Sequence, residues 1–372
     1  MKLKNFFSES PQWHEKVGGI HALLERVKMS EEQSGDVLRL RKLNRILSIH
    51  ASTAIEGNKL TLEQVTDVIN GKPVWGPAKD IKEVQNAWEA YGEMGGYSPW
   101  LVQDLLRAHG SLTQTLIGES GRFRSVGVSV VRSDGVIMHQ GSPPKKVPTL
   151  VKQLLSWGES SGAHPLIKSS AVHYMIEHIH PFRDGNGRIG RLWQTLILSK
   201  WNPLFAWMPI ETLVHYNQAL YYKALQESHR DGVDCRPFID FMLDVIENSL
   251  YKYVDLATET MKSKGKGRKA IADVTVNVPV NVPVNTLQQK VLILLRANPR
   301  STSQKIAHTL GVTDRTIKRS LKTLREAGVI KRVGSDKTGH WEIISPSVEK
   351  QKGRSDGVPI SFDTNIRNLN GR

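Results

Sequence analysis

A chain of 372 residues is long enough for two or three domains, each with its own core. Hydrophobic residues make up 39% and charged residues 23%, the balance of a soluble globular protein, and no run of about 18 apolar residues offers a membrane span. A lone cysteine, Cys235, excludes an internal disulfide and a cysteine-based zinc site, and fits a cytoplasmic protein. Met1–Lys16 carries charges and Pro11 but no apolar core segment, so no secretory signal is expected. The formal net charge of +15 is unevenly spread. Thr286–Ser345 holds twelve Lys/Arg against four Asp/Glu, and a basic run, Lys262–Lys269, lies just upstream. Basic surfaces attract phosphate backbones, which makes nucleic acid a candidate partner for the last third.

The first hundred residues read as helical. Leu38, Leu40, Leu43, Ile46 and Leu47 lie near helical spacing up to a break at Gly57-Asn58. Thr61, three residues before Gln64, predicts a capping box opening a helix over Leu62–Ile69. Further helices are expected at about Ile81–Tyr91 and Pro99–Leu116. The β-branched run Val126–Val131, the turn Ser133-Asp134-Gly135 and Val136–Met138 then read as a hairpin. Helical periodicity returns over Leu150–Trp157 and Leu166–Ile179, the latter stopping before Pro181. After a loop, helices are expected from Gly187 to Trp201, Ile210 to Ser228 and Pro237 to Met261. The repeated VNVP unit of Val274–Asn285 forbids helix and marks a linker.

The string from His180 to Arg191 (HPFRDGNGRIGR) concentrates one chemistry. A helix N-terminus offers unpaired N–H groups and partial positive charge to phosphate. Gly185 and Gly187 leave the backbone free to cradle an anion. Arg188 and Arg191, three apart, share a helix face and bind phosphate oxygens bidentately. Asp184 is a hard oxygen ligand suited to Mg²⁺, and His180 is placed to take a proton from an attacking hydroxyl. No Walker A sequence occurs. A zinc reading through His173, His178, His180 or Asp184 is the weaker one, with His173 and His178 read as ordinary helix histidines.

This string resembles the signature of the Fic family, HPFx[DE]GNGRxxR, and matches it at every defined position. The resemblance implies a mainly α Fic fold with a β-hairpin flap, and transfer of AMP from ATP to a Tyr, Ser or Thr hydroxyl of a target protein, releasing pyrophosphate. It implies that His180 is the general base and Asp184 the Mg²⁺ ligand. It places Gly185, Asn186 and Gly187 in the α/β-phosphate cradle, and makes Arg188 and Arg191 polyphosphate clamps, with Arg191 on the γ-phosphate. Gly121–Arg124, the hairpin and His139–Pro144 resemble the family's flap, where the target docks along Val126–Met138 as an added strand. Asn217 and the Tyr221-Tyr222 pair resemble a segment near the adenine. Ser52–Gly57 resembles the inhibitory motif [ST]xxxE[GN]: Glu56 competes with the γ-phosphate for Arg191, and Ser52 fixes the helix by hydrogen bonding. The family further suggests self-modification and a homo-oligomer.

Downstream, Leu287–Leu295, Ser303–Leu310 and Asp314–Ala327 predict three helices, followed by a hairpin returning through Trp341–Ile344. This looks like a winged helix-turn-helix, an α+β unit whose recognition helix, Asp314–Ala327, carries Arg315, Lys318, Arg319 and Lys322 toward DNA. The expected domains are an N-terminal helical region with the inhibitory helix (1–98), a catalytic domain (99–261), a linker (262–285), the winged helix (286–345) and a polar tail (346–372). Two alternatives remain at this stage. One is a DNA-binding regulator that senses nucleotide through the Fic-like region. The other is an enzyme that removes AMP from a modified protein.

Overall fold

The computed structural model describes residues 6–32, 37–131, 137–229, 233–262, 291–292, 294–295, 299, 301–310, 312–326, 330–334 and 339–343. The expected tail, most of the linker, the hairpin tip and most of the first winged-helix element lie outside these residues. The chain divides into two compact units, the first reaching Lys262. Among the described residues, no helix is long and apolar enough to cross a membrane.

The first unit is helical. In chain order it comprises α1 (Pro11–Glu32), α2 (Val37–Ile55), α3 (Leu62–Ile69), α4 (Ala78–Glu93) and α5 (Val102–Thr113). A hairpin, β1 (Ser129–Val131) and β2 (Ile137–Gln140), interrupts the helices. Then follow α6 (Val147–Ser160), α7 (Pro165–Ile179), α8 (Asn186–Trp201), α9 (Ile210–Tyr216), α10 (Gln218–Glu227) and α11 (Arg236–Lys262).

The antiparallel pair α7–α8 is the centre. Almost every residue of both helices is buried, including Leu166, Tyr174, Ile176, Leu192, Trp193 and Leu196. Their buried polar side chains, among them His173, Arg188, Arg191 and Gln194, must find partners inside the protein. α1 is apolar on one face and lays Trp13, Ile20, Leu24 and Val27 against α11. The capping box at α3 forms as read: Thr61 Oγ1 accepts from Gln64 N at 3.2 Å, and Gln64 Oε1 accepts from Thr61 N at 2.9 Å.

The expected single helix over Ile210–Ser228 is instead two, α9 and α10, broken at Asn217 (φ −111°, ψ 31°). No Gly or Pro marks this break. Asn217 Nδ2 donates to the Leu213 carbonyl at 2.8 Å, the local side-chain-to-backbone bond by which Asn competes with a helix.

Glu211 of α9 ties several helices together. Its buried carboxylate accepts from Ser48 of α2 at 2.8 Å, Tyr91 of α4 at 2.8 Å and Thr195 of α8 at 3.1 Å. These bonds fix α2 against α8, which matters because the C-terminal end of α2 enters the candidate site.

In the second unit, α12 (Ser303–Leu310) and α13 (Asp314–Glu326) precede the antiparallel strands β3 (Ile330–Val333) and β4 (His340–Ile343). Ile306, Ile317, Leu321, Leu324 and Ile330 form its core with Val291 and Leu295. Arg315, Lys318, Arg319 and Lys322 remain exposed on α13. This is the winged helix-turn-helix arrangement.

Replacing Glu211 with Ala strands three buried hydroxyls at once. We expect a loss of about 3 kcal/mol in unfolding free energy, measured by urea denaturation, with a smaller loss for Glu211→Gln.

Candidate active site

The loop between α7 and α8 depends on two left-handed residues. His180 ends α7 with φ 53° and ψ 62°, and Gly185 precedes α8 with φ 81°. Left-handed backbone is ordinary for glycine and costly for a histidine, so surrounding contacts must hold His180 in place. Arg124 supplies them. Its Nε donates to the His180 carbonyl at 2.6 Å, Nη1 to the Val126 carbonyl at 2.7 Å, and Nη2 to the carbonyl of Ser142. One guanidinium thus fastens both ends of the flap region to the turn after α7.

Inside the loop, Asn186 acts as a clasp. Phe182 N donates to Asn186 Oδ1 at 2.9 Å, and Asn186 Nδ2 returns a bond to the Phe182 carbonyl at 2.9 Å. Each end of this amide thus makes one bond within the loop, and Asn186 also lines the cavity beside His180. His109 of α5 supports the other side. Its ring stacks on Phe182 with centroids 3.7 Å apart and planes 7° apart. Its Nδ1 accepts from Gly121 N at 3.1 Å, so Nε2 carries the proton that the Asp184 carbonyl accepts at 2.9 Å. Burial pushes this imidazole down to about 4, which keeps it neutral.

His180 has a defined tautomer as well. Its Nδ1 lies 3.2 Å from the Glu177 carbonyl, which can only accept, so the proton is on Nδ1 and the Nε2 lone pair is bare. Burial lowers its pKa to about 4, leaving an unprotonated base at neutral pH. His180 lines one cavity with Asp184, Gly185, Gly187, Glu177 and Glu56, and with the hairpin residues Val130 and Met138. Tyr221, Tyr222 and Leu225 form another wall. Asn217 is not on the lining, and its amide is engaged with Leu213.

Arg188 and Arg191 are both buried, and each faces a different carboxylate. Arg188 Nη1 pairs with Glu83 Oε1 of α4 at 2.6 Å, and Arg188 Nη2 lies 3.7 Å from Asp184 Oδ1. Arg191 Nη2 donates to Glu56 Oε1 at 2.7 Å and to the Ser52 carbonyl at 3.0 Å, while Nε donates to Ser52 Oγ at 3.0 Å. Ser52 therefore ties the last turn of α2 to Arg191 by two hydrogen bonds. Burial works against the Arg191 charge, yet the neighbouring Glu56 raises its pKa overall. Asn58 Nδ2 donates to Glu83 Oε2 at 2.8 Å, so the short segment Glu56–Asn58 holds one arginine directly and braces the partner of the other. With Glu56 on Arg191, a Cβ at position 187 would lie 2.1 Å from Glu56 Oε1, so glycine lets this carboxylate sit against α8.

Asp184 offers a partly exposed carboxylate beside these groups. Oδ1 accepts from Gly185 N at 2.7 Å, and Oδ2 takes no hydrogen bond among the described residues. An accessible hard oxygen at the rim of an anion cradle fits Mg²⁺.

Arg124 sat inside a motif noted in the sequence, but its bonds were not foreseen, and His109 and Glu83 were not singled out. The available signal was a polar residue on an apolar helix face. Glu83 shares its face with Ala87, Ala90 and Met94, and His109 is flanked by Leu105 and Leu112.

A bare imidazole nitrogen, a glycine-bearing turn at a helix N-terminus and two buried guanidinium groups thus meet in a central helical hairpin. The comparisons give this arrangement a family. The Fic/DOC family pattern matches residues 99–198, and a winged helix-turn-helix DNA-binding pattern matches residues 284–331. A Fic family protein from Desulfovibrio desulfuricans is 33% identical, with 93% of this chain and 99% of that one covered and a TM-score of 0.63. The chain belongs to the Fic/DOC family. The protein adenylyltransferase Fic of Drosophila grimshawi is 29% identical over 237 residues, covering 60% of this chain and 46% of that protein. The chain thus spans about half the length of the curated relatives it matches. Fic-1 from C. elegans, 22% identical with a TM-score of 0.53, shares the fold over 67% of this chain and 73% of its own.

Substituting Arg124 with Lys removes the fork that reaches the carbonyls of His180, Val126, Ser142 and Ile179 at once. We expect faster amide hydrogen exchange at Ser142 and Gly141 in Arg124→Lys, with exchange in α11 unchanged. Equal exchange in both proteins would show that the fork does not hold this junction.

Proposed function

We propose that this protein transfers AMP from ATP to a hydroxyl of a target protein and is held in check by Glu56. The observation that carries the reading is Arg191, a buried guanidinium behind the α8 N-terminus whose anion is Glu56. On this reading the phosphates of ATP lie over the backbone of Gly185–Gly187, with Arg188 and Arg191 as their cationic partners. Asp184 would hold Mg²⁺, which supplies charge neutralisation to the phosphates. His180 Nε2 takes the proton of the attacking hydroxyl, its oxygen bonds to the α-phosphorus, and the bond to the β-phosphate bridge breaks to release pyrophosphate. Positioning and electrostatic stabilisation supply most of the rate in such a transfer.

With Glu56 on Arg191, the γ-phosphate cannot take its partner, and the α-phosphorus is not brought in line with the hydroxyl. The Asn186 side chain contributes by shaping the loop. The target would dock beside β1 and β2. The winged helix is proposed to contact DNA, supported by the exposed cations of α13. The division into an inhibitory N-terminal region, a catalytic domain, a linker and this reader is part of the same proposal.

Incubation with α-labelled ATP and Mg²⁺ tests the reading. Glu56→Gly should raise labelling of protein at least tenfold over wild type, and His180→Ala in the Glu56→Gly background should abolish it. No label in the Glu56→Gly protein, or label that survives loss of His180, would sink the assignment. Separately, Arg319→Glu should weaken duplex binding and flatten its salt dependence, as followed by fluorescence anisotropy.

A further inference from the structure

His139 of β2, His178 of α7 and His229 just beyond α10 meet on the wall of the cavity, beside the base. Nothing in the proposed AMP transfer uses them. One nitrogen from each ring lies within 4.8 Å of the other two. His178 Nδ1 and His229 Nε2 are 2.8 Å apart, and the His139 and His229 rings meet edge to face with centroids 4.3 Å apart. The three rings come from separate elements, so their meeting is a product of the tertiary fold.

A fourth residue orients this group. The Tyr174 hydroxyl donates to the Ser228 carbonyl at 2.8 Å, so toward His229 its oxygen must act as acceptor. His229 Nδ1, 2.7 Å away, therefore carries the ring proton. That leaves the His229 Nε2 lone pair bare and aimed at His178. An imidazole whose far nitrogen is fixed by an outer partner is the arrangement that prepares a histidine for a metal. Flap and helix are also already joined here, with His139 Nε2 donating to the His178 carbonyl at 2.8 Å.

We propose that His139, His178 and His229 form a site for a divalent transition metal of the zinc class, which pins the flap strand β2 to α7 and α10. Nitrogen ligands select zinc-class ions over Mg²⁺, which demands oxygen. Bonds of about 2.0 Å in tetrahedral geometry set nitrogen separations of about 3.3 Å. The His178–His229 contact opens slightly to reach this, and the His139 ring draws in. His178 moves its proton from Nδ1 to Nε2 on binding, so three neutral imidazoles ligate without net proton release. The fourth position faces the cavity and is left to water. The His139 and His180 ring centroids are 6.1 Å apart, so the ion sits next to the base without using it as a ligand.

This site stands whether or not the protein transfers AMP, because its test reads metal binding alone. The untagged full-length chain, stripped with chelator, is titrated with Zn²⁺ by calorimetry and with Co²⁺ by visible absorption. One equivalent of Zn²⁺ should bind in the presence of millimolar Mg²⁺, raise the Tm, and displace Co²⁺ that shows the intense bands of tetrahedral coordination. His139→Gln and His229→Gln should each weaken Zn²⁺ binding by at least 100-fold, and Tyr174→Phe by 10- to 100-fold. Failure of the wild type to bind one equivalent, or octahedral Co²⁺ bands, would overturn the site. Wild-type affinity in both histidine variants would do the same. The wild-type Co²⁺ spectrum decides the matter even where a variant folds poorly.

Discussion

A guanidinium that never loses its proton cannot be buried without an anion, and Arg191 is buried behind the N-terminus of α8. Its charge forces the rest of the site to provide a carboxylate or a phosphate at one particular point. In this structure the anion is Glu56, delivered by the end of α2. The Glu211 bonds to Ser48, Tyr91 and Thr195 hold α2 where its end can deliver that carboxylate. On the proposed function, regulation and catalysis are two answers to the same electrostatic demand, with one cation accepting whichever anion is present.

The loop beside Arg191 is held by backbone carbonyls more than by side chains meeting side chains. Arg124 grips the carbonyls of His180 and Ser142, His109 grips that of Asp184, and Asn186 closes on Phe182. Such bonds orient the peptide units of the loop, while the Gly185 amide is taken by Asp184 Oδ1. They also place His180 with its proton on Nδ1. Its basic nitrogen is thus set by geometry before any substrate arrives. The flap is tied to the same turn through Arg124, so flap position and base orientation are mechanically linked.

Local chemistry made much of this legible in the sequence. The capping pattern placed α3 at its observed bounds, and Pro181 with the glycines placed the junction of α7 and α8 within a residue. Glu56 was found because its motif is short and contiguous. What escaped were partners far apart along the chain: Glu83 and Arg188, or His109 and Asp184. A charged residue on an apolar helix face announces that it must be paired, but gives no information about which distant group will meet it. The break at Asn217 escaped for a different reason. Asn is tolerated in helices, and only its bond to Leu213 turned it into a hinge between α9 and α10.

The balance of charges also says which carboxylate is able to move. Arg188 and Arg191 are matched one to one by Glu83 and Glu56, and Glu177 beside them is pushed up to about 7, by burial first and by the charge of Glu56 second. With Asp184 Oδ1 3.7 Å from Arg188 as well, carboxylates already balance or exceed the two guanidinium charges, so a polyphosphate is accommodated best if one carboxylate departs. Glu83 is buried in the middle of α4 and held by Asn58, so its departure would require α4 itself to shift. Glu56 lies one residue past the end of α2, followed by Gly57 at φ 91°, a natural pivot. Gln218 and Tyr222 of α10 hold the Ile55 carbonyl just before it, at 3.0 and 3.4 Å. Those two bonds hold the last turn of α2 from the side of α10. On the proposed function, a signal that lifts the brake would act there, turning Glu56 outward about Gly57 while Ser48 and Glu211 keep the rest of α2 in place.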